Sequence, residues 1–118
     1  MSKEKVVLCA SSAYEQKYYL NEKFERLPQH IKDELKIMCV LYTEDVGGIL
    51  TLEFDEEGTL TFNVTCEDGD LLFDEIGSVL KIKEYQRDKV ELLEAVELYY
   101  KVFFLKQDAS QLFTEENE

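Results

Sequence analysis

The sequence predicts a single α+β domain over residues 1–106: a three-stranded antiparallel meander, open to one added N-terminal strand, with helices packed on one face. Three observations predict this class. Residues 49-ILTLEFDEEGTLTFNV-64 hold two alternating apolar segments around a loop that ends in Gly58. A second turn pair, Asp68-Gly69 in 65-TCEDGDLLFDE-75, allows the chain to return as a third strand. On either side of this stretch, apolar residues recur at the three-and-four spacing of amphipathic helices.

From the N-terminus, the apolar run Val6 to Ala10 fits a short strand. Ser12-Ala13-Tyr14-Glu15 matches a capping box, which predicts a helix over residues 13–23, although 17-KYYLN-21 fits an extended segment equally well. The first long helix runs from about Pro28 to Glu44. Proline suits a helix's first turn, Ile31, Leu35, Met38 and Tyr42 share one face, and Gly47-Gly48 stops it. In the hairpin that follows, a three-residue loop of Glu56, Glu57 and left-handed Gly58 pairs Phe54 with Leu60, Leu52 with Phe62 and Leu50 with Val64. Centring a tight turn on Asp68-Gly69 sets Cys66 opposite Leu71 and Val64 opposite Phe73, which extends the same apolar face. The second helical region spans about Asp74 to Lys106 and breaks near Asp88. Residues 107–118 lack periodicity and read as a frayed acidic tail.

The 45% apolar and 12% aromatic content is enough for a packed core without a metal or a disulfide framework. The five apolar residues Val6 to Ala10 are too few for a signal peptide's apolar core, and no run reaches the length of a membrane helix. Three widely spaced cysteines fit a reducing, cytoplasmic setting. The net charge of −13 is concentrated: residues 37–80 carry eleven Asp or Glu and no Lys or Arg. Phosphate backbones and anionic lipids are bound mainly through Lys and Arg, so neither a nucleic acid nor a membrane is an expected partner. A basic protein is compatible with the charge.

The acids of 67–75 suggest a calcium loop at first sight. The EF-hand pattern with Gly69 sixth puts Val64 where a carboxylate is required, so the stretch reads as a turn. Gly47-Gly48 follows a helix and stands beside Glu44 and Asp45, the reverse of a phosphate cradle. Cys9, Cys39, Cys66 and His30 lack the short spacing of a zinc motif, and the register places Cys66 on the apolar face. No catalytic residue, cofactor or metal ligand is therefore assigned.

The remaining feature is 92-LLEAVELYYKVFFL-105, in which only Glu94, Glu97 and Lys101 are polar. On a helix these three fall in a sector of about 60°, leaving an apolar arc of about 260°, wider than one sheet covers. Leu92, Val96, Tyr99 and Phe103 at its centre are expected inside the monomer. The flanks Leu93, Tyr100 and Phe104, and Leu98, Val102 and Leu105, form the candidate interface, with a homodimer as the expected assembly.

The segments 13-AYEQKYYLN-21, 33-DELKIMCVLYTEDVGGILTLEF-54, 71-LLFDEIGSVLKIKE-84 and 97-ELYYKVF-103 resemble a family of small acidic proteins of unknown function from Gram-positive anaerobes. The resemblance implies a free-standing bacterial cytoplasmic protein and carries no catalytic motif. The expected function is a non-catalytic interaction module that self-associates through its C-terminal helix. A carboxylate- or metal-dependent enzyme using residues 44–75, and an acidic decoy of a basic protein, are the alternatives.

Overall fold

The computed structural model describes residues 5–106, and the tail expected over 107–118 lies outside them. The first elements are β1 (Val6–Ser12) and β2 (Lys17–Leu20), joined as an antiparallel hairpin. This corrects the helix expected over 13–23. The Ser12 hydroxyl does accept from the Glu15 N–H at 3.2 Å, so half of the capping box is made, but it closes a turn. Gln16 takes a left-handed φ of 54°, and the next four residues are extended. A capping pair stabilises the first turn of a helix or any isolated turn alike; strand pairing with β1 decides the continuation.

Helix α1 (Gln29–Val46) starts after Pro28 and is stopped by Gly47 at a φ of 85°. Strands β3 (Ile49–Phe54) and β4 (Leu60–Thr65) then pair as the alternation predicts: Leu50 with Val64, Leu52 with Phe62, Phe54 with Leu60. Gly58 is left-handed at a φ of 89°, and the Asp55 carboxylate accepts from Glu57 N and Thr59 N, which ties the loop. Helices α2 (Glu75–Asp88) and α3 (Val90–Phe103) follow, separated by Lys89 alone. Asp74 caps α2 by accepting from Gly77 N.

The third strand of the meander is not formed. The Asp68-Gly69 turn closes through Asp70 N donating to Glu67 O at 3.1 Å, with Gly69 at a φ of 78°. The Asp70 carboxylate then accepts from Leu72 N, a local turn that bends the backbone out of the extended conformation. Instead β1 joins the other side of β3, so the four-stranded antiparallel sheet has the order β2-β1-β3-β4. Cys66 is exposed, contrary to the face expected for it.

One face of this sheet is covered. Leu50, Leu52 and Phe54 of β3 are fully buried beneath Leu35, Met38, Cys39 and Tyr42 of α1. A bulge between Val7 and Cys9 of β1 lets the consecutive Leu8 and Cys9 both reach the core. At one end, α3 and the 3-10 turn Glu22–Phe24 build an aromatic cluster around Phe54. Phe54 stacks on Tyr100 with ring centroids 4.2 Å apart, and Phe24 stacks on Phe104 at 4.7 Å. Such pairs each add about 0.5–1.5 kcal/mol beyond the area they bury. No helix among the described residues is long and apolar enough to cross a membrane.

Candidate functional site

The acidic stretch is held by a tyrosine. The Tyr14 hydroxyl donates to the Asp70 carboxylate and accepts from Glu67 N at 2.9 Å, which fastens the 67–70 turn to the end of the first hairpin. That donated hydrogen bond holds the Asp70 carboxyl below its usual range. Among the described residues no three or more His, Cys, Asp or Glu side chains gather as a metal would require. The carboxylates are dispersed into local roles: Asp55 and Asp74 tie turns, Asp45 bridges to Lys81 at 2.8 Å, and Glu97 accepts from the edge amide of Leu60 at 2.8 Å.

Cys9 and Cys39 are buried with their sulfurs 3.8 Å apart. Their mutual hydrogen bond and burial push the Cys39 thiol well above its ordinary pKa. A nucleophile or a zinc ligand needs the opposite shift, because the thiolate is the reactive form. The Tyr18 hydroxyl lies buried beside Cys9, and burial raises its pKa as well. His30 is exposed on the first turn of α1.

A cleft of about 780 Å³ opens between the first hairpin and α1. Its lining includes Ser12, Gln16, Lys17, Tyr18 and Lys36, with Glu44 as the one carboxylate. Ser11 and Thr43 satisfy each other at 2.9 Å. One carboxylate flanked by exposed lysines supplies neither the acid–base pair nor the polarised nucleophile of a hydrolytic site.

The six residues expected on an α3 interface divide. Tyr100 is only 4% exposed, locked between Phe54 and Phe104, and it offers no surface to another chain. Leu93, Phe104 and Leu105 lie half-buried against the core. Leu98 and Val102 remain at the surface, lining a shallow groove of about 420 Å³ with Leu27, Pro28, Ile31 and Phe103. Phe103, expected inside, is 59% exposed: the covered arc of α3 is centred on Leu92, Val96 and Tyr100, and Phe103 lies outside it among the described residues.

Among the described residues, the most exposed apolar side chains lie elsewhere. Leu71 and Leu72 are 95% and 91% exposed, and just beyond them Ile76, Val79 and Leu80 of α2 are 75%, 54% and 61% exposed. The cause is which side of α2 is anchored. Ser78 bonds to the Tyr42 hydroxyl, Tyr85 donates to Met38 O at 3.3 Å, and Lys81 bridges to Asp45, all on the side that meets α1. The opposite side is left facing outward. Sequence reasoning missed this stripe because the expected third strand had assigned Leu71 to the core. The spacing of 76, 79, 80 and 83 beside that of 78, 82 and 85 separates two faces on one helix in the sequence, but does not say which of them α1 anchors.

The profile of one family, described as a family of unknown function (DUF6145), matches residues 5–108. No curated protein and no solved structure matches the chain.

Proposed function

The chain belongs to that family of unknown function, and we propose that it is a non-catalytic, cytoplasmic interaction module that associates with a second copy of itself through its C-terminal helical half. The observation that carries this reading is the stripe of Leu71, Leu72, Ile76, Val79 and Leu80, five large apolar side chains each more than half exposed. Apolar surface gathered in this way on a protein of net charge −13 marks a contact surface, because exposure to water costs about 25 cal/mol for each Å² that a partner could cover. The groove at Leu98 and Val102 is a second, smaller apolar area on the same helical half. The dispersal of the carboxylates weighs against a carboxylate-dependent enzyme, and three free cysteines suit a reducing compartment.

Light scattering on a sizing column tests the reading. A dimer is expected at tens of micromolar, and Val79→Glu is expected to return it to a monomer while leaving the fold intact. A wild-type monomer at that concentration refutes self-association.

A further inference from the structure

We infer that α2 is the two-fold element of the dimer: α2 of one copy lies antiparallel against α2 of the second, with the axis between Val79 and Leu80. The inference rests on the proposed self-association and adds its geometry. It is carried by the order of side chains along the outward stripe. Ile76, Val79, Leu80 and Lys83 of α2 are all exposed, and their spacing is symmetric about the midpoint of Val79 and Leu80. Reversing the direction brings Val79 onto the partner's Leu80 and Ile76 onto Lys83. Two apolar side chains thus meet at the centre. At each end an apolar side chain meets a long cation whose methylene stem can cover it while the charge stays in water.

Charge selects the antiparallel direction and a second copy as the occupant. The N-terminal end of α2 carries Asp74 and Glu75 with no base, within the stretch of 37–80 that holds no Lys or Arg at all. Beyond the midpoint the helix carries the bases Lys83, Arg87 and Lys89 against the acids Glu84 and Asp88, with Arg87 bridged to Asp88 and Lys81 turned away to Asp45. Antiparallel pairing sets each acidic end beside the partner's basic end, twice in one dimer, whereas parallel pairing would juxtapose like charges. A closed two-fold contact of this kind covers Ile76, Val79 and Leu80 of both copies at once and does not propagate into a filament.

The test is oxidative cross-linking in a Cys66→Ser background, since Cys9 and Cys39 are buried. Val79→Cys beside the axis is expected to form a covalent dimer on oxidation by copper phenanthroline. Ile76→Cys alone is not: antiparallel pairing separates its two copies by about 10 Å along the helix, beyond disulfide reach. An equimolar mixture of Ile76→Cys and Lys83→Cys chains is expected to link. Lys83→Glu with Arg87→Glu should weaken the dimer roughly tenfold, and adding Glu75→Lys should recover part of that loss. A dimer in which Ile76→Cys links to itself, or in which Val79→Cys fails while Tyr19→Cys on the open sheet face links, overturns the geometry and leaves self-association standing. A wild-type monomer by light scattering overturns both.

Discussion

Two turns built alike, eleven residues apart, meet different fates. Glu57-Gly58 and Asp68-Gly69 each place an acid before a left-handed glycine, with φ of 89° and 78°. The first joins β3 and β4 in the register that alternation dictates, and the second opens into a loop. The difference lies in what each turn connects. Six residues of alternating pattern flank Gly58 on either side, and both arms bury one face against α1 and α3. After Gly69 only four residues precede the cap at Asp74, and the Asp70 carboxylate bends them by accepting Leu72 N. Phe73 packs instead against Gly48, and Asp74 N donates to Val46 O at 2.9 Å. A turn residue licenses a reversal of direction; the strand needs enough paired, buried length to offset its ordering entropy.

The sharpest way to break this comparison is Gly48→Ala, at the point where the looping segment meets the sheet. A Cβ there would stand 2.8 Å from the Thr65 carbonyl oxygen and 2.9 Å from the Phe73 ring, at a φ of 74°. A destabilisation of about 3 kcal/mol is expected from the left-handed strain and the clash together, measured by urea unfolding. A loss below about 1 kcal/mol would show that Phe73 is not seated there.

The two turn glycines follow. Gly58→Ala should cost about 1–2 kcal/mol, since its Cβ would also meet the Lys101 and Leu105 side chains at 3.0–3.2 Å. An added Cβ at Gly69 would meet none of the described residues beyond its chain neighbours within 4 Å, so the same substitution should cost about 1 kcal/mol from backbone strain alone. The reverse ranking would mean that the second turn is more tightly built than the first.

Smaller effects concern the tether between the second turn and the first hairpin. The folded Asp70 carboxyl titrates below its unfolded value of about 3.9 because Tyr14 donates to its charged form. That contribution is present above the unfolded pKa and is lost as pH falls through the folded one. Tyr14→Phe should therefore lower stability at pH 6 and converge on the wild type in strong acid, in matched pH titrations of the unfolding midpoint. A difference that persists unchanged at low pH would assign the effect to something other than Asp70. The smallest change is expected from Leu71→Ser, within about 0.5 kcal/mol in dilute monomer, because the side chain is already in water. A loss of several kcal/mol would restore the third strand.

Local pattern alone settled the α+β class, α1 with its proline entry and glycine stop, the β3–β4 register, and the break in the C-terminal helical region that falls at Lys89. These depend on neighbours close in the chain: a side-chain period, a cap, a glycine that tolerates positive φ. The apolar character of the C-terminal half was legible too, but its exposed part was not. Alternation over 60–73 has the same appearance whether the last four residues join an edge or leave it, and a capping pair at Ser12 looks the same before a helix or a tight turn. The arc of α3 is wide enough to pack in several rotations. Tertiary structure chose among these, because β2 paired with β1, Phe73 packed against Gly48 while Asp74 N bonded to Val46 O, the ring stack of Phe54, Tyr100 and Phe104 drew one side of α3 inward, and Ser78, Lys81 and Tyr85 turned α2 toward α1. Which apolar residues are left facing water is a remainder of those long-range pairings, and no local spacing contains it.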